Sequence, residues 1–434
     1  MIRKEHNEFT RVQLPAALHL TRLGYDYLSA TSEEIKNRDY STNILLSIFK
    51  RQFLTFNNYA SEADFEREFE NIRLELEQDD IGFSFFNRVH ADSGYTYINW
   101  DNIEENTFHI ALEVTCQNGE EEFRPDITVF INGLPLSYIE VKQPDAIRDG
   151  KTGINSEKER TKLRFENKKF RRFNNITQLI AISDNLPYDD SQGQQFQGSF
   201  YCSNAYSGTK FNSFKEEQER QVQSSLSSVT EEMIDLVLKD VNRFALKSQA
   251  EFRTNLESAS PCNSFLTSLY QKERLFFMLR YGLVYVEERD KKGQIQLQKH
   301  AMRYPQYFAT KAIERRLEDG IKKGVIWHTQ GSGKTALAFF NIRYLRDFYA
   351  KRGVVPQFYF VVDRLDLADQ AYKEFTKRGL KVKRINKPSE LNQIQDQFDI
   401  SVVNIQKFKE SSDLTDHSGY DLNRQNIYFI DEAH

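Results

Sequence analysis

Residues 324–338 read GVIWHTQGSGKTALA, a short apolar run that leads through a glycine-rich turn into a helix-forming tract. Val325, Ile326 and Trp327 suit a buried strand. Gly331, Ser332 and Gly333 permit tight turns, and Lys334 and Thr335 open a helix whose first amides face the loop. Each part meets a triphosphate. Main-chain N–H groups of Thr329, Gln330 and the three residues after them can surround the β-phosphate. Lys334 can bridge β- and γ-oxygens, and the Thr335 hydroxyl can ligate Mg²⁺. Such loops ordinarily begin with glycine, and His328 stands there instead, while the GSGKT half is intact. The competing reading is a strand-to-helix turn that binds nothing.

Downstream the pattern alternates: strand 358–362, helix 367–377, then strands 382–385, 400–405 and 427–430, which predicts a doubly wound α/β unit with a parallel sheet. The last strand runs into Asp431-Glu432-Ala433-His434. There Asp431 can hold the Mg²⁺ of bound ATP and Glu432 can polarise the attacking water. Upstream, Gln306 lies between Tyr304 and Tyr307, a setting in which an amide can pair with an adenine edge beside a stacked ring. Taken alone, that trio is nearly uninformative.

The first half of the chain carries different chemistry. Helical spacing predicts helices over 12–28, 41–56 and 62–77, read as solvated amphipathic helices without chemistry. From Phe108 the composition turns β-rich, with runs at 108–115, 126–131 and 136–141, and Asn132-Gly133 between the last two predicts a hairpin. Asp126 opens one strand of that hairpin. Glu140 and Lys142 close the other, two apart and so on one face. Two carboxylates and a lysine suit phosphodiester hydrolysis, with Asp126 and Glu140 holding Mg²⁺ and Lys142 orienting water or offsetting charge. The bland alternative is a charged hairpin end facing solvent.

Next comes a basic helical tract at 156–173, with Arg160, Arg164, Lys168 and Arg171 near one face, suited to phosphate contact or merely to solvent. From Lys142 to Phe173 there are eleven Lys or Arg against five Asp or Glu, a surplus of six that leaves −10 for the rest of a chain whose net charge is −4. That total excludes a uniformly basic nucleic-acid binder but not a local basic stripe. A strand is expected at 176–182, an irregular surface region at 189–213, and amphipathic helices at 230–246 and 264–281. Three scattered cysteines, Cys116, Cys202 and Cys262, fit neither a disulfide framework nor a zinc site. No apolar run is long enough to cross a bilayer, so a cytoplasmic chain with no membrane partner is expected.

TQGSGKT at 329–335 with DEAH at 431–434 resembles motifs I and II of superfamily 2 helicases and translocases. VVDRLDLADQ at 361–370 resembles motif Ia, and SVVNIQKF at 401–408 the strand after it. With RPD at 124–126, EVK at 140–142 and RYPQY at 303–307, the order is similar to the R subunit of type I restriction-modification enzymes. The resemblance implies a PD-(D/E)xK endonuclease-like α/β domain over 1–225. A first RecA-like motor domain would then occupy 226–434, with a helical lead-in at 226–300 and the nucleotide-binding core at 301–434.

It further implies Asp126, Glu140 and Lys142 as the nuclease triad, Gln306 as the adenine reader, ATP and Mg²⁺ as cofactors, and double-stranded DNA as substrate. Modification (methyltransferase) and specificity subunits would be partners. A Gln-x-x-x-Tyr element on a helix after the triad is also implied, and Gln197 with Tyr201 is the nearby match. The second motor lobe and its arginine are not among these residues, so weak ATP·Mg²⁺ binding with almost no turnover is expected of this stretch alone. Two other readings stand beside this one: a repair or defence helicase fused to a nuclease, and a nucleotide- and DNA-binding module without catalysis.

Overall fold

A computed structural model of the chain describes residues 7–143, 147–148, 151–188, 197–205, 209–216, 226, 228–289, 293–327, 333–385, 390, 397–405 and 423–431. The chain divides into two compact units, Met1–Leu283 with Leu297–Arg303, and Val284–Gln296 with Tyr304–His434. The α/β class expected from the sequence holds in both.

The first unit is built on a six-stranded mixed sheet whose strands lie side by side in chain order. They are β1 (Asp26–Leu28), β2 (Phe108–Leu112), β3 (Ile127–Ile131), β4 (Leu134–Val141), β5 (Leu179–Ser183) and β6 (Ser199–Cys202). Every residue of β2 to β6 is buried. A strand covered on both faces reads as a continuous apolar run, which is why alternation is weak here. Strands β4 and β5 run parallel, and β2–β3, β3–β4 and β5–β6 antiparallel.

The β3–β4 turn takes the form its sequence demands. Asn132 has φ 53° and Gly133 φ 82°, the pair of left-handed residues of a tight hairpin. This turn is buried. Asn132 donates to Tyr97 O at 3.0 Å and to Asn106 Oδ1 at 2.8 Å, and Gly133 O accepts from Leu45 N at 2.9 Å. The register sets Ile127 opposite Ile139, and one further step sets Asp126 opposite Glu140.

Several expectations change in detail. The first helix is shorter, a π turn at Phe9–Gln13 followed by α1 (Leu14–Arg22), and residues 26–28 pair with β2 as strand β1. Within the stretch read as irregular, Ser199–Cys202 forms the buried edge strand β6, because Tyr201 and Phe200 have a ladder on β5 to join. The basic tract is not one helix. Helix α2 (Gly153–Glu166) ends at Asn167, whose side chain accepts from Lys169 N and starts a short turn, and a separate helix covers Arg171–Ile176. The first compact unit also extends past residue 225. Helix Pro261–Tyr270 is held in it by Tyr25 Oη donating to Tyr270 O at 2.7 Å and by the His19–Thr267 side-chain hydrogen bond at 2.8 Å.

The second unit has a four-stranded sheet of β7 (Val355–Val362), β8 (Val382–Ile385), β9 (Ile400–Asn404) and β10 (Arg424–Ile430), in the order β8-β9-β7-β10 and parallel throughout. Helices α3 (Tyr304–Glu318), α4 (Lys334–Ala350) and α5 (Leu365–Lys377) accompany it. The expected strand at 325–327 is not formed. Val325 is 90 % and Trp327 91 % exposed, and the segment joins no ladder. β-propensity expresses packing against neighbours, and three apolar residues without an edge to pair with do not make a strand.

Candidate active site

In the first unit the hairpin, the π turn ahead of α1 and helix α2 converge on Lys142. Its Nζ lies 3.8 Å from Asp126 Oδ2, 3.9 Å from Glu140 Oε2, 3.5 Å from Glu157 Oε2 and 3.4 Å from Glu8 Oε1. The three residues of the predicted triad thus share one site. Val141 N donates to Asp126 Oδ2 at 2.7 Å and Lys142 Nζ to Val141 O at 2.6 Å, so both side chains are tied to the end of β4 that also carries Glu140. Helix α2 closes the far side. Arg164 Nη1 lies 3.3 Å from Glu140 Oε1 and 2.9 Å from Glu157 Oε1, and Arg160 Nη1 donates to Glu157 Oε2 at 3.0 Å.

Burial sets the electrostatics. It pushes the Asp126 carboxyl up to about 6, against the pull of Lys142 and the Val141 amide. The Glu140 carboxyl rises to about 8, from burial first and the nearby Asp126 second. For Lys142, burial favours the neutral amine, but the surrounding carboxylates outweigh it and the net shift is upward. Arg164 is raised too, burial being outweighed by Glu140 and its neighbours. Four carboxylates thus face three cations.

Glu140 Oε1 is buried and, among the described residues, accepts no hydrogen bond despite the ion pair with Arg164. Asp126 and Glu140, opposed on paired strands and short of positive charge, fit a hard divalent cation. Among the described residues no three His, Cys, Asp or Glu side chains are arranged to hold a metal. Two carboxylates are what Mg²⁺ ordinarily takes from protein, with waters and phosphate oxygens completing its shell.

Sequence reading missed Glu8 and Glu157, which reach the site from other elements. It set Arg164 on a basic helix face open either to phosphate contact or to solvent, whereas its side chain is only 12 % exposed and points into this site. Elsewhere in the basic tract the unit's own acids meet the cations, with Lys169 on Glu121, Arg171 on Asp79 and Arg172 on Glu77. The Gln197/Tyr201 match falls on strand β6 and its approach, not on a helix. Gln197 donates to Pro187 O, and the fully buried Tyr201 donates to Met302 O. The helix after the triad instead offers buried Glu157 and Thr161 at the same spacing.

In the second unit, Gly333 with φ 85° caps α4, and Lys334 Nζ at the helix start lies 3.5 Å from Asp431 Oδ1 at the end of β10. Gln306, buried on the first turn of α3, donates from Nε2 to Gly333 O at 3.3 Å. Helix α3 also meets α4 through Asn341 Nδ2 donating to Thr310 Oγ1 at 3.2 Å. Thr335 follows Lys334 in the first turn of α4. Gln306, Gly333, Lys334 and Asp431 therefore come together. Thr329, Gln330, Gly331, Ser332 and Glu432 lie outside the described residues.

Residues 5–192 match the family described as type I restriction enzyme R protein N terminus, and residues 305–434 match the SWI2/SNF2 ATPase family. The chain is 28 % identical over 286 residues to the "Putative type I restriction enzyme MjaVIIP endonuclease subunit" of Methanocaldococcus jannaschii, a match that covers 65 % of this chain and 22 % of that protein. It is 26 % identical over 358 residues to the "Putative type I restriction enzyme MjaIXP endonuclease subunit" of the same organism, covering 78 % and 29 %. A third relative, the type I restriction enzyme SauMSSORF170P endonuclease subunit of Staphylococcus aureus, is 31 % identical over 139 residues, covering 31 % and 14 %. The matched stretches span less than a third of each relative's length. Among the described residues no helix is long and apolar enough to cross a membrane.

Proposed function

We propose, from the premise that this chain belongs to the family of type I restriction enzyme R proteins, that its first unit cleaves double-stranded DNA and that its second binds the ATP that drives DNA translocation. The observation that carries the nuclease half is the meeting of Asp126, Glu140 and Lys142 at one largely buried site. Asp126 and Glu140 would hold Mg²⁺, which when bound supplies an acidified water and charge neutralisation for phosphodiester hydrolysis. The remaining work is done by the protein's own groups. Lys142, kept protonated by its carboxylate neighbours, donates hydrogen bonds to orient a water or to stabilise charge growing on the phosphate. Arg164 offsets part of the burial cost that raises the Glu140 carboxyl to about 8, and a bound cation would supply the rest.

In the second unit Lys334 and Asp431, already paired, would part to the phosphates and to Mg²⁺, with Thr335 beside them and Glu432 polarising the attacking water. Gln306 ties the start of α3 to the phosphate loop through Gly333, a position from which its amide can also read an adenine edge. Modification and specificity subunits would supply sequence recognition. The test is to assemble the R protein with those subunits and measure cleavage of double-stranded DNA with ATP and Mg²⁺. Cleavage that needs both cofactors supports the reading. A complex that hydrolyses ATP on DNA but never cuts it overturns the nuclease half.

A further inference from the structure

We infer that Glu157, together with Glu8, acts as a positioning residue that holds the Lys142 ammonium away from Asp126 and Glu140, leaving those two carboxylates open to a divalent cation. This rests on the reading of the site as a nuclease centre. Lys142 Nζ is nearer to Glu8, at 3.4 Å, and to Glu157, at 3.5 Å, than to Asp126, at 3.8 Å, or Glu140, at 3.9 Å. None of the four is a tight ion pair. The ammonium is suspended among them, and its short hydrogen bond goes to Val141 O at 2.6 Å.

Glu157 is built to be an anchor. It is fully buried, and both its oxygens are committed to cations: Oε1 accepts from Arg164 at 2.9 Å, and Oε2 accepts from Arg160 at 3.0 Å while facing Lys142. A carboxylate with a cation against each oxygen is already charge-compensated, so its charge goes to placing the cations. Glu8 is fixed on the other side, because its Oε2 accepts from Gln143 N at 3.1 Å. Remove either anchor and the ammonium has two carboxylates, the half-buried Asp126 and the buried Glu140, within one short swing. A direct ion pair there would occupy the oxygens that the divalent cation needs.

The test is a mutant cycle on Ca²⁺ binding, measured by calorimetry on this chain without DNA, with the Asp126→Ala chain as the blank for other sites. Glu157→Gln keeps the shape and removes the charge. It should bind Ca²⁺ about tenfold or more weakly, the usual loss when a residue supporting metal ligands is changed. In a Lys142→Ala background the same substitution should cost nothing further, because the competing ammonium is gone. A merely structural role would weaken binding in both backgrounds.

Should Glu157→Gln fail to fold, Glu8→Gln at the more exposed anchor reports on the same effect with the same sign. In the assembled enzyme, Glu157→Gln should lower the cleavage kcat by about 10²-fold, the scale of a misplaced group, with KM for DNA unchanged. Equal Ca²⁺ affinity of the parent and Glu157→Gln chains, or an equal loss in both backgrounds, overturns this inference and leaves the nuclease reading standing. A parent chain that binds no Ca²⁺ beyond the blank takes both down together.

Discussion

The main-chain amide of Val141 donates to Asp126 Oδ2 at 2.7 Å, binding the first carboxylate of the site to the strand that carries the second. One oxygen of Asp126 is therefore structural as well as chemical. Asp126→Asn keeps an acceptor for that amide and should fold as the parent does while losing cleavage. Asp126→Ala leaves a buried N–H unsatisfied and should cost about 1–3 kcal/mol of stability. Urea denaturation of the two variants checks this, and equal stability of both would contradict it.

Stability of the metal-free chain should fall as pH rises. The Glu140 carboxyl goes from an ordinary 4.5 to about 8 on folding, and that of Asp126 from 3.8 to about 6. Across that span the folded state binds more protons than the unfolded one, so this contribution is complete below about pH 4 and lost progressively up to about pH 8. Glu140→Gln should flatten the dependence of melting temperature on pH over this window. A slope unchanged by the substitution would show that Glu140 titrates normally.

Gly133 should tolerate no side chain. Its φ is +82°, and a Cβ there would stand 2.8 Å from both Leu45 O and Phe49 N, main-chain atoms that cannot swing aside. Gly133→Ala should destabilise the first unit by about 1–3 kcal/mol through strain and overpacking. Because the turn sets the register of Asp126 against Glu140, cleavage should fall with it. The fall in denaturation midpoint is the check.

What the sequence disclosed, and what it hid, follows the range over which each signal acts. Asn132-Gly133 specifies its turn locally, so the hairpin and the opposition of Asp126 and Glu140 were legible, as were the β7 to β10 strands of the second unit. Glu8 and Glu157 were not, because each meets Lys142 only through tertiary packing. The one local hint was spacing: Glu157, Arg160 and Arg164 fall at i, i+3 and i+7 on α2, a face that carries its own counter-charges and so need not face DNA. The segment 325–327 misled for the opposite reason, since its apolar residues are strand-like while the partner a strand requires is not encoded in them.

Nucleotide binding in the second unit should depend on Lys334 and Gln306 in different ways. Lys334→Ala removes the cation now facing Asp431 at 3.5 Å and should abolish ATP binding. Gln306→Ala removes the link to Gly333 O and the adenine-reading amide, and should erase about 1–3 kcal/mol of preference for ATP over GTP. Fluorescent-nucleotide titrations with ATP and GTP as competitors separate the two. A Gln306→Ala chain that still prefers ATP would assign base recognition elsewhere.

The account's central claim is that Asp126, Glu140 and Lys142 form a nuclease centre in one unit while ATP is handled in the other. The most direct test is Lys142→Ala in the assembled R protein complex, with DNA cleavage and DNA-stimulated ATP hydrolysis measured on the same preparation. The account predicts that cleavage is lost and ATP hydrolysis stays at the parent rate. Cleavage that survives the substitution, or loss of both activities together, would contradict it.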